Sequence, residues 1–475
     1  MNWLVVNLLF HLLISSHGAQ TTGQGFVGLD GDGNLALQPP AGRQLMVDGV
    51  ALMNELADLR ALVARQQSTI VQQQSAISQL NATVATQQSI IAANNQGSGM
   101  SSELATAFYN LRSKLGFSFN GAIRTVDRAG NAGSYTSLAL TAAGFPVISY
   151  WDITNADIKV AVCADTTCSS GTTIRTIDSA GNVGQHTSLA LTTAGFPVIS
   201  YWDIANADLK LAVCADATCS SGTTIRTIDS TGVLGGFTSL VLTTAGVPVI
   251  SYYDETNDDL KLAVCADATC SSGTTIRTID STGNVGQHTS LALTASGFPV
   301  ISYLDGTNFD LKLAVCADAT CSSGTTIRSI DSTGNVGEYT SLALTAAGFP
   351  VISYYDNTNS DLKLAVCADA TCSSSTTIRT IDSIDGVGEF TSLALTTAGC
   401  PVISYHDGTN DDLKLAVCAD ATCSSGATIR TIDSAGDVGQ YTSLALTAAG
   451  FPVISYHDLG NLDLKLAVCA DATCL

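Results

Sequence analysis

The sequence predicts an all-β body, a seven-bladed β-propeller of four-stranded blades, preceded by an α-helical coiled-coil stalk. Three observations carry this. A unit of 51 residues recurs seven times from residue 123 onward. Each unit holds four strand-like runs, as in TSLAL, PVISY, LKLAV and TIRTID, parted by Gly, Asn, Asp or Ser turns. Ahead of the repeats, Leu, Ile, Val and Gln alternate at spacings of four and three from Leu52 to Ile91.

The period is read from the cysteines. Cys163, Cys214, Cys265, Cys316, Cys367, Cys418 and Cys469 stand 51 residues apart, and so do Cys168, Cys219, Cys270, Cys321, Cys372, Cys423 and Cys474. A period of this length marks a solenoid or a propeller. No unit has a helical period, and four short antiparallel strands make one blade. The body opens on a lone TIRTID-type strand, residues 123–127, and ends after LKLAVCADATC. The last blade thus lacks its outer strand while the first strand is spare. Pairing the two closes a ring, whereas a linear solenoid would carry capping ends.

The four-strand unit, the offset first strand and the count of seven resemble the seven-bladed β-propellers, WD-repeat and lectin-type propellers among them. The resemblance covers about three quarters of the chain and is architectural. Trp151-Asp152 and Trp202-Asp203 repeat the WD dipeptide, but within the second strand and without a Gly-His partner. The WD-repeat family itself therefore does not fit.

Residues 4–14 form an apolar stretch of signal-peptide length, too short to span a bilayer, and Gly18 and Ala19 offer a cleavage point. The chain then divides into a signal peptide (1–19), a Gly-rich irregular segment (20–49), a coiled coil (50–95), a linker with a short neck helix (96–122) and the propeller (123–475). The expected product is secreted, with no membrane span. In the coiled coil, Leu56, Val63, Ile70, Ile77, Val84 and Ile91 suit one seam position. Leu52, Leu59, Gln66, Gln73, Leu80 and Gln87 suit the other. Buried Gln weakens the seam but sets register, and a parallel trimer is expected ahead of a dimer. Asn81-Ala82-Thr83 is a glycosylation acceptor.

In a secreted chain the repeated Cys-x4-Cys reads as a local disulfide, with shared zinc half-sites as the rival. Cys400 stands where other units carry Phe or Val, as an apolar substitute.

Basic residues number 20 and acidic residues 41, a net charge of −21, which argues against nucleic acid. In the propeller pattern the acids concentrate on one face. Glu255, Asp258, Glu338, Asp385, Glu389, Asp411 and Asp437, which do not repeat, all fall in its loops. Two aromatic series share that face. Tyr135, His186, Phe237, His288, Tyr339, Phe390 and Tyr441 precede TSLAL and are expected to pack between blades. Trp151, Trp202, Tyr253, Leu304, Tyr355, His406 and His457 follow PVISY. Their variation suits a rim that contacts ligand, and Trp151, Trp202, Tyr253, Tyr355, His406 and His457 are the candidate ligand-binding residues.

The second loop of each unit reads DxxNxD. Its members are Asp152, Asn155 and Asp157; Asp203, Asn206 and Asp208; Asp254, Asn257 and Asp259; Asp305, Asn308 and Asp310; Asp356, Asn359 and Asp361; Asp407, Asn410 and Asp412; Asp458, Asn461 and Asp463. Asp and Asn bond their own backbone in turns, which is the first reading. The second is calcium, since hard oxygens close in sequence suit a weak extracellular site and would relieve crowded charge.

Almost every polar residue is repeated, no HExxH or GxSxG occurs, and catalysis ranks below binding. The expected function is a secreted multivalent binding or adhesion protein, not an enzyme, recognising an extracellular glycan or glycoprotein. A structural matrix role is the alternative and a propeller hydrolase stands last. Light scattering of the mature chain tests the stalk: a multiple of the monomer mass is expected, and a clean monomer at micromolar concentration would contradict it.

Overall fold

In the computed structural model the described residues are 121–474 and four short strands before them. Phe26–Leu29 pairs with Leu35–Gln38, and Met46–Val47 pairs with Val50–Ala51. Two hairpins therefore occupy the segment expected to be irregular. The signal peptide, the rest of the coiled coil and the neck helix lie outside the described residues.

Each repeat becomes four antiparallel strands in sequence order. In the first these are Ala132–Leu140, Pro146–Asp152, Asp157–Val162 and Thr173–Asp178. Six sheets are built this way. The seventh takes Val438–Leu446, Pro452–Asp458 and Asp463–Cys469 and is completed by Gly121–Asp127. Leu464 stands opposite Asp127 and Cys469 opposite Gly121. The ring is closed as the offset frame predicts, and closure leaves no sheet face without a neighbour.

The core lies between blades. One cluster joins Val198, Leu209 and Leu211 of one blade to Leu240, Ile250, Tyr252 and Ala263 of the next. Another joins Val453, Leu464 and Leu466 of the last blade to Leu138, Ile148 and Tyr150 of the first. The second strand is apolar at successive positions because both of its faces are covered. The inner strand carries a Gly where backbones meet. Gly286 has φ 107°, and a Cβ there would lie 2.7 Å from the Leu260 Cα of the preceding blade.

A buried polar latch crosses every blade junction. The outer strand of one blade ends in Asp229, and Tyr252 of the next donates to its Oδ2 at 2.7 Å. Lys261 Nζ lies 2.9 Å from Asp229 and 3.3 Å from Asp254. Burial pulls the Lys261 ammonium down, but the two aspartates outweigh it and hold it above its ordinary range. Burial likewise raises Asp229, and the Tyr252 and Lys261 bonds reverse the sign. Asp127 makes the same bond to Tyr150 at 2.6 Å, so the closing strand is latched as well as paired.

On the opposite face all seven Cys pairs are bridged, with Cα atoms 4.9–5.0 Å apart. The zinc half-site reading falls away. Within the first bridged loop, Asp165 accepts from the backbone N–H groups of Thr167, Ser169 and Ser170. The Ser169 and Thr167 bonds hold its carboxyl well below the usual range. Cys400 is free and half-buried, and its N–H donates to Thr396 as the N–H of Phe349 does to Thr345. Among the described residues no helix is long and apolar enough to cross a membrane.

Lys261→Met would leave Asp229 and Asp254 buried without their cation. A loss of about 3–5 kcal/mol is expected in denaturant unfolding, against about 1–3 kcal/mol for Tyr252→Phe. Two near-neutral variants would show that the junction does not depend on the latch.

Candidate active site at the acidic face

The first aromatic series forms a collar about the ring axis. Each member is the fourth residue of its inner strand and sits at a register shift, with φ between 51° and 54°. Such a bulge in the left-handed region turns a bulky side chain out of the sheet and toward the axis. Neighbouring ring centroids are 4.3–4.6 Å apart all the way round, closing at Tyr441 and Tyr135. A ring of threonines lies beside it, as where Thr238 Oγ1 meets Ser200 Oγ of the preceding blade at 2.8 Å. The two rings line an axial cavity of about 210 Å³. Blade-to-blade packing is thus as expected for this series, and it encloses space as well.

The second series is not on an open rim, which corrects the sequence reading. Tyr253, Tyr355, His406 and His457 are buried, and Trp151 and Trp202 are half-buried. Each backs a collar residue of its own blade at 6.0–6.4 Å, as Trp151 does Tyr135 and His406 does Phe390. The cause is the bulge. It places the collar ring over the end of the second strand and covers the residue there.

One departure from the sevenfold pattern removes a side chain at this face. Gly236 stands where the other units carry Ser134, Gln185, Gln287, Glu338, Glu389 and Gln440. The missing side chain opens a pocket of about 570 Å³ lined by His186, Trp202, Phe237, Tyr253, Glu255, Asp258, Asn284 and Gln287. A Cβ on Gly236 would meet only Tyr253 Cδ1, at 3.8 Å, so sterics do not require a glycine there. Tyr253 donates to Asp258 Oδ1 at 2.5 Å and lies 3.1 Å from Asn284 Oδ1. Burial and the Asp258 bond push the phenol up to about 12. Gln287 Nε2 donates to the same Asn284 oxygen at 3.3 Å. Trp202 Nε1 is buried without a protein partner. Two carboxylates, Glu255 and Asp258, are exposed at the pocket. Sequence reasoning counted these acids as surface charge. The departure at Gly236 was the available signal.

The DxxNxD loops follow the turn reading, with an added ion pair. Asp152 Oδ1 accepts the Asn155 backbone N–H at 3.2 Å, and Oδ2 accepts Asn155 Nδ2 at 2.8 Å. Lys159 Nζ lies 2.5 Å from the same carboxylate. Asp157 stands opposite Asp152 in the strand register. Burial, then Asp152, raises Asp157 above the usual range. Asp203, Asp254, Asp305, Asp356, Asp407 and Asp458 hold their own Asn and Lys alike. Each loop thus already holds a cation, the lysine ammonium, where the sequence reading allowed calcium.

No family model matches the chain, and no curated protein matches it in sequence. Solved structures match the fold. A polysaccharide lyase, an ulvan lyase, gives a TM-score of 0.48 at 10% identity, covering 74% of this chain and 94% of its own. A puromycin hydrolase gives 0.46 at 13%, covering 70% and 51%. An α-L-arabinofuranosidase from Fusarium graminearum gives 0.41 at 11%, covering 71% and 92%. At these identities the likeness is one of fold. All three of these neighbours are enzymes, which stands against the expectation of a non-enzymatic binding or adhesion head. Sevenfold repetition does not set catalysis aside, and in this chain Gly236 breaks the repetition.

The collar histidines make stability pH-dependent. Burial pushes His186 and His288 down to about 3, with His288 adding to the shift at His186. Unfolded histidine takes up its proton near pH 6.5, so the unfolded chain binds more protons below that point. Stability is whole above about pH 6.5 and falls as pH drops toward about 3. The depressed latch aspartates act only below about pH 4. Replacing both histidines with Phe, already present as Phe237 and Phe390, should reduce the fall in melting temperature between about pH 6.5 and 4.5, leaving the part due to His457, which burial pushes down to about 4. An unchanged slope would contradict two histidines held neutral in the collar.

Proposed function

We propose that the propeller head is a carbohydrate-acting hydrolase whose site is the pocket opened at Gly236. The observation that carries this reading is the convergence, where the repeat departs at Gly236, of Trp202, Tyr253 and two exposed carboxylates. Trp202, half-buried at the pocket wall, offers an apolar indole of the kind on which a sugar ring stacks, and the buried Tyr253 holds Asp258 through its hydroxyl. Glu255 and Asp258 are the pair of acids that glycoside cleavage needs, one to protonate the leaving oxygen and one to act as base or nucleophile. The Tyr253 hydroxyl donates to Asp258 and fixes its carboxylate in place, which suits the second role. Glu255 then takes the first.

The substrate class follows from charge. No Lys or Arg lines the pocket. Among the described residues the lysines are committed to the junction latches, and the arginines lie on outer strands except Arg128, in the loop after the closing strand. A uronate or sialate carboxylate would meet only like charge, so the substrate is a neutral sugar chain. The seven disulfides fit an oxidising compartment and hence a secreted enzyme meeting an extracellular glycan or glycoprotein. Self-association through residues 50–95 would present several heads together.

A panel of neutral oligosaccharides, followed by release of reducing ends, tests the proposal. Glu255→Gln and Asp258→Asn should each lower turnover at least about 100-fold. Gly236→Gln, which restores the residue type of three other units, should fill the pocket and abolish activity without loss of stability. Glu338→Gln, two blades away, should leave the rate unchanged. Absence of turnover on every neutral glycan, or equal loss in all four variants, would overturn it.

A further inference from the structure

We propose that His406, Asp411 and Asp437 bind a divalent transition-metal ion of the zinc type. One His406 ring nitrogen and one carboxylate oxygen of each aspartate lie within 4.8 Å of one another. Among the described residues no other three His, Cys, Asp or Glu side chains come together in this way. His406 is 3% exposed, yet neither ring nitrogen has a hydrogen-bond partner. Its Nδ1 faces Glu389 at 3.5 Å, at the outer limit of a hydrogen bond. A buried polar group without a partner is costly, and native structures rarely keep one without use.

The repeat supplies its own controls. Three units earlier the same positions hold Tyr253, Asp258 and Asn284, where the Tyr253 hydroxyl meets both neighbours. One unit later they hold His457, Leu462 and Asn131, and His457 Nε2 lies 3.0 Å from Asn131 Oδ1. There an amide satisfies one ring nitrogen, Nε2, and only Nδ1 is left without a partner, whereas His406 lacks one at both. At His406 two carboxylates replace the amide and the leucine, a combination found in no other unit. A cation between the three groups would satisfy the imidazole and neutralise both acids together.

The ligand set selects the metal. Imidazole nitrogen suits zinc, copper, nickel and iron, whereas calcium takes six to eight oxygens. Atoms no more than 4.8 Å apart share a point about 2.8 Å from each, taking 4.8/√3. Reaching the zinc distances of about 2.0–2.2 Å needs an inward shift of under about 1 Å. Asp411 is on an exposed loop, and Asp437 accepts only a long bond from Gln440, 3.3 Å, so both have room to close. Three protein ligands leave a fourth position for water. This site is separate from the Gly236 pocket, and its test does not depend on any activity there.

Full-length protein stripped with chelator is titrated with zinc by calorimetry, and with cobalt by its visible absorption. One zinc per chain is expected. Asp437→Asn should weaken binding at least tenfold, as loss of a ligand costs no less than loss of its supporting shell. His406→Tyr with Asp437→Asn recreates the Tyr253 arrangement, so it should fold and lose the site. His457→Leu, matching Leu304, should keep it. No saturable heat up to about 1 mM zinc, binding retained in the double variant, or calcium bound as tightly as zinc would each overturn the proposal.

Discussion

Everything in this molecule depends on holding seven nearly identical sheets face to face around one axis, and the junction latch is the interaction that does so. Apolar packing between blades is strong but indifferent to sliding. The Tyr252, Lys261, Asp229 and Asp254 group is directional: one carboxylate comes from the outer strand of the preceding blade, the other from the next. An ammonium shared by two buried acids has one low-energy placement. Buried ion pairs are weak evidence for stability but can fix registry, and here the fixed quantity is the angle from blade to blade. The collar relies on that angle, since its rings meet at 4.3–4.6 Å only when every step round the axis is alike.

The ring and its closure were legible because their causes are local or countable. Cysteines at a fixed period mark the unit, and the offset strand ending at Asp127 marks the seam. The burial of the second aromatic series was not legible. It follows from a bulge at Tyr135 and its equivalents, where a bulky residue adopts the left-handed region without the Gly or Asn that would announce it. The partners of Lys261 were hidden for a different reason. Alternation places it on one face of a strand, but the distance to Asp229 is set by how closely a separate sheet approaches.

The two candidate sites were hidden within the consensus. In a repeat protein the shared residues describe the scaffold, and chemistry that occurs once must lie in the departures. Gly236 removes a side chain and makes room; Asp437 replaces an asparagine or an uncharged residue and adds a charge. Neither change touches the latch, the collar or the bridged loops. The scaffold therefore tolerates them, and unlike functions can arise on neighbouring blades of one ring.

The strand Gly121–Asp127 also sets an order of events in time. It leaves the ribosome first among the body's strands, while its partner Asp463–Cys469 comes last. At ordinary synthesis rates the interval is on the order of tens of seconds. During that wait the early blades can form their hairpins and their short disulfides, but the first strand has an unpaired edge and nothing to join. Completion of the ring is thus a late, long-range step whose rate is governed by topology rather than by local propensity. A chain built this way stays dependent on whatever shields that edge until the strand Asp463–Cys469 has emerged.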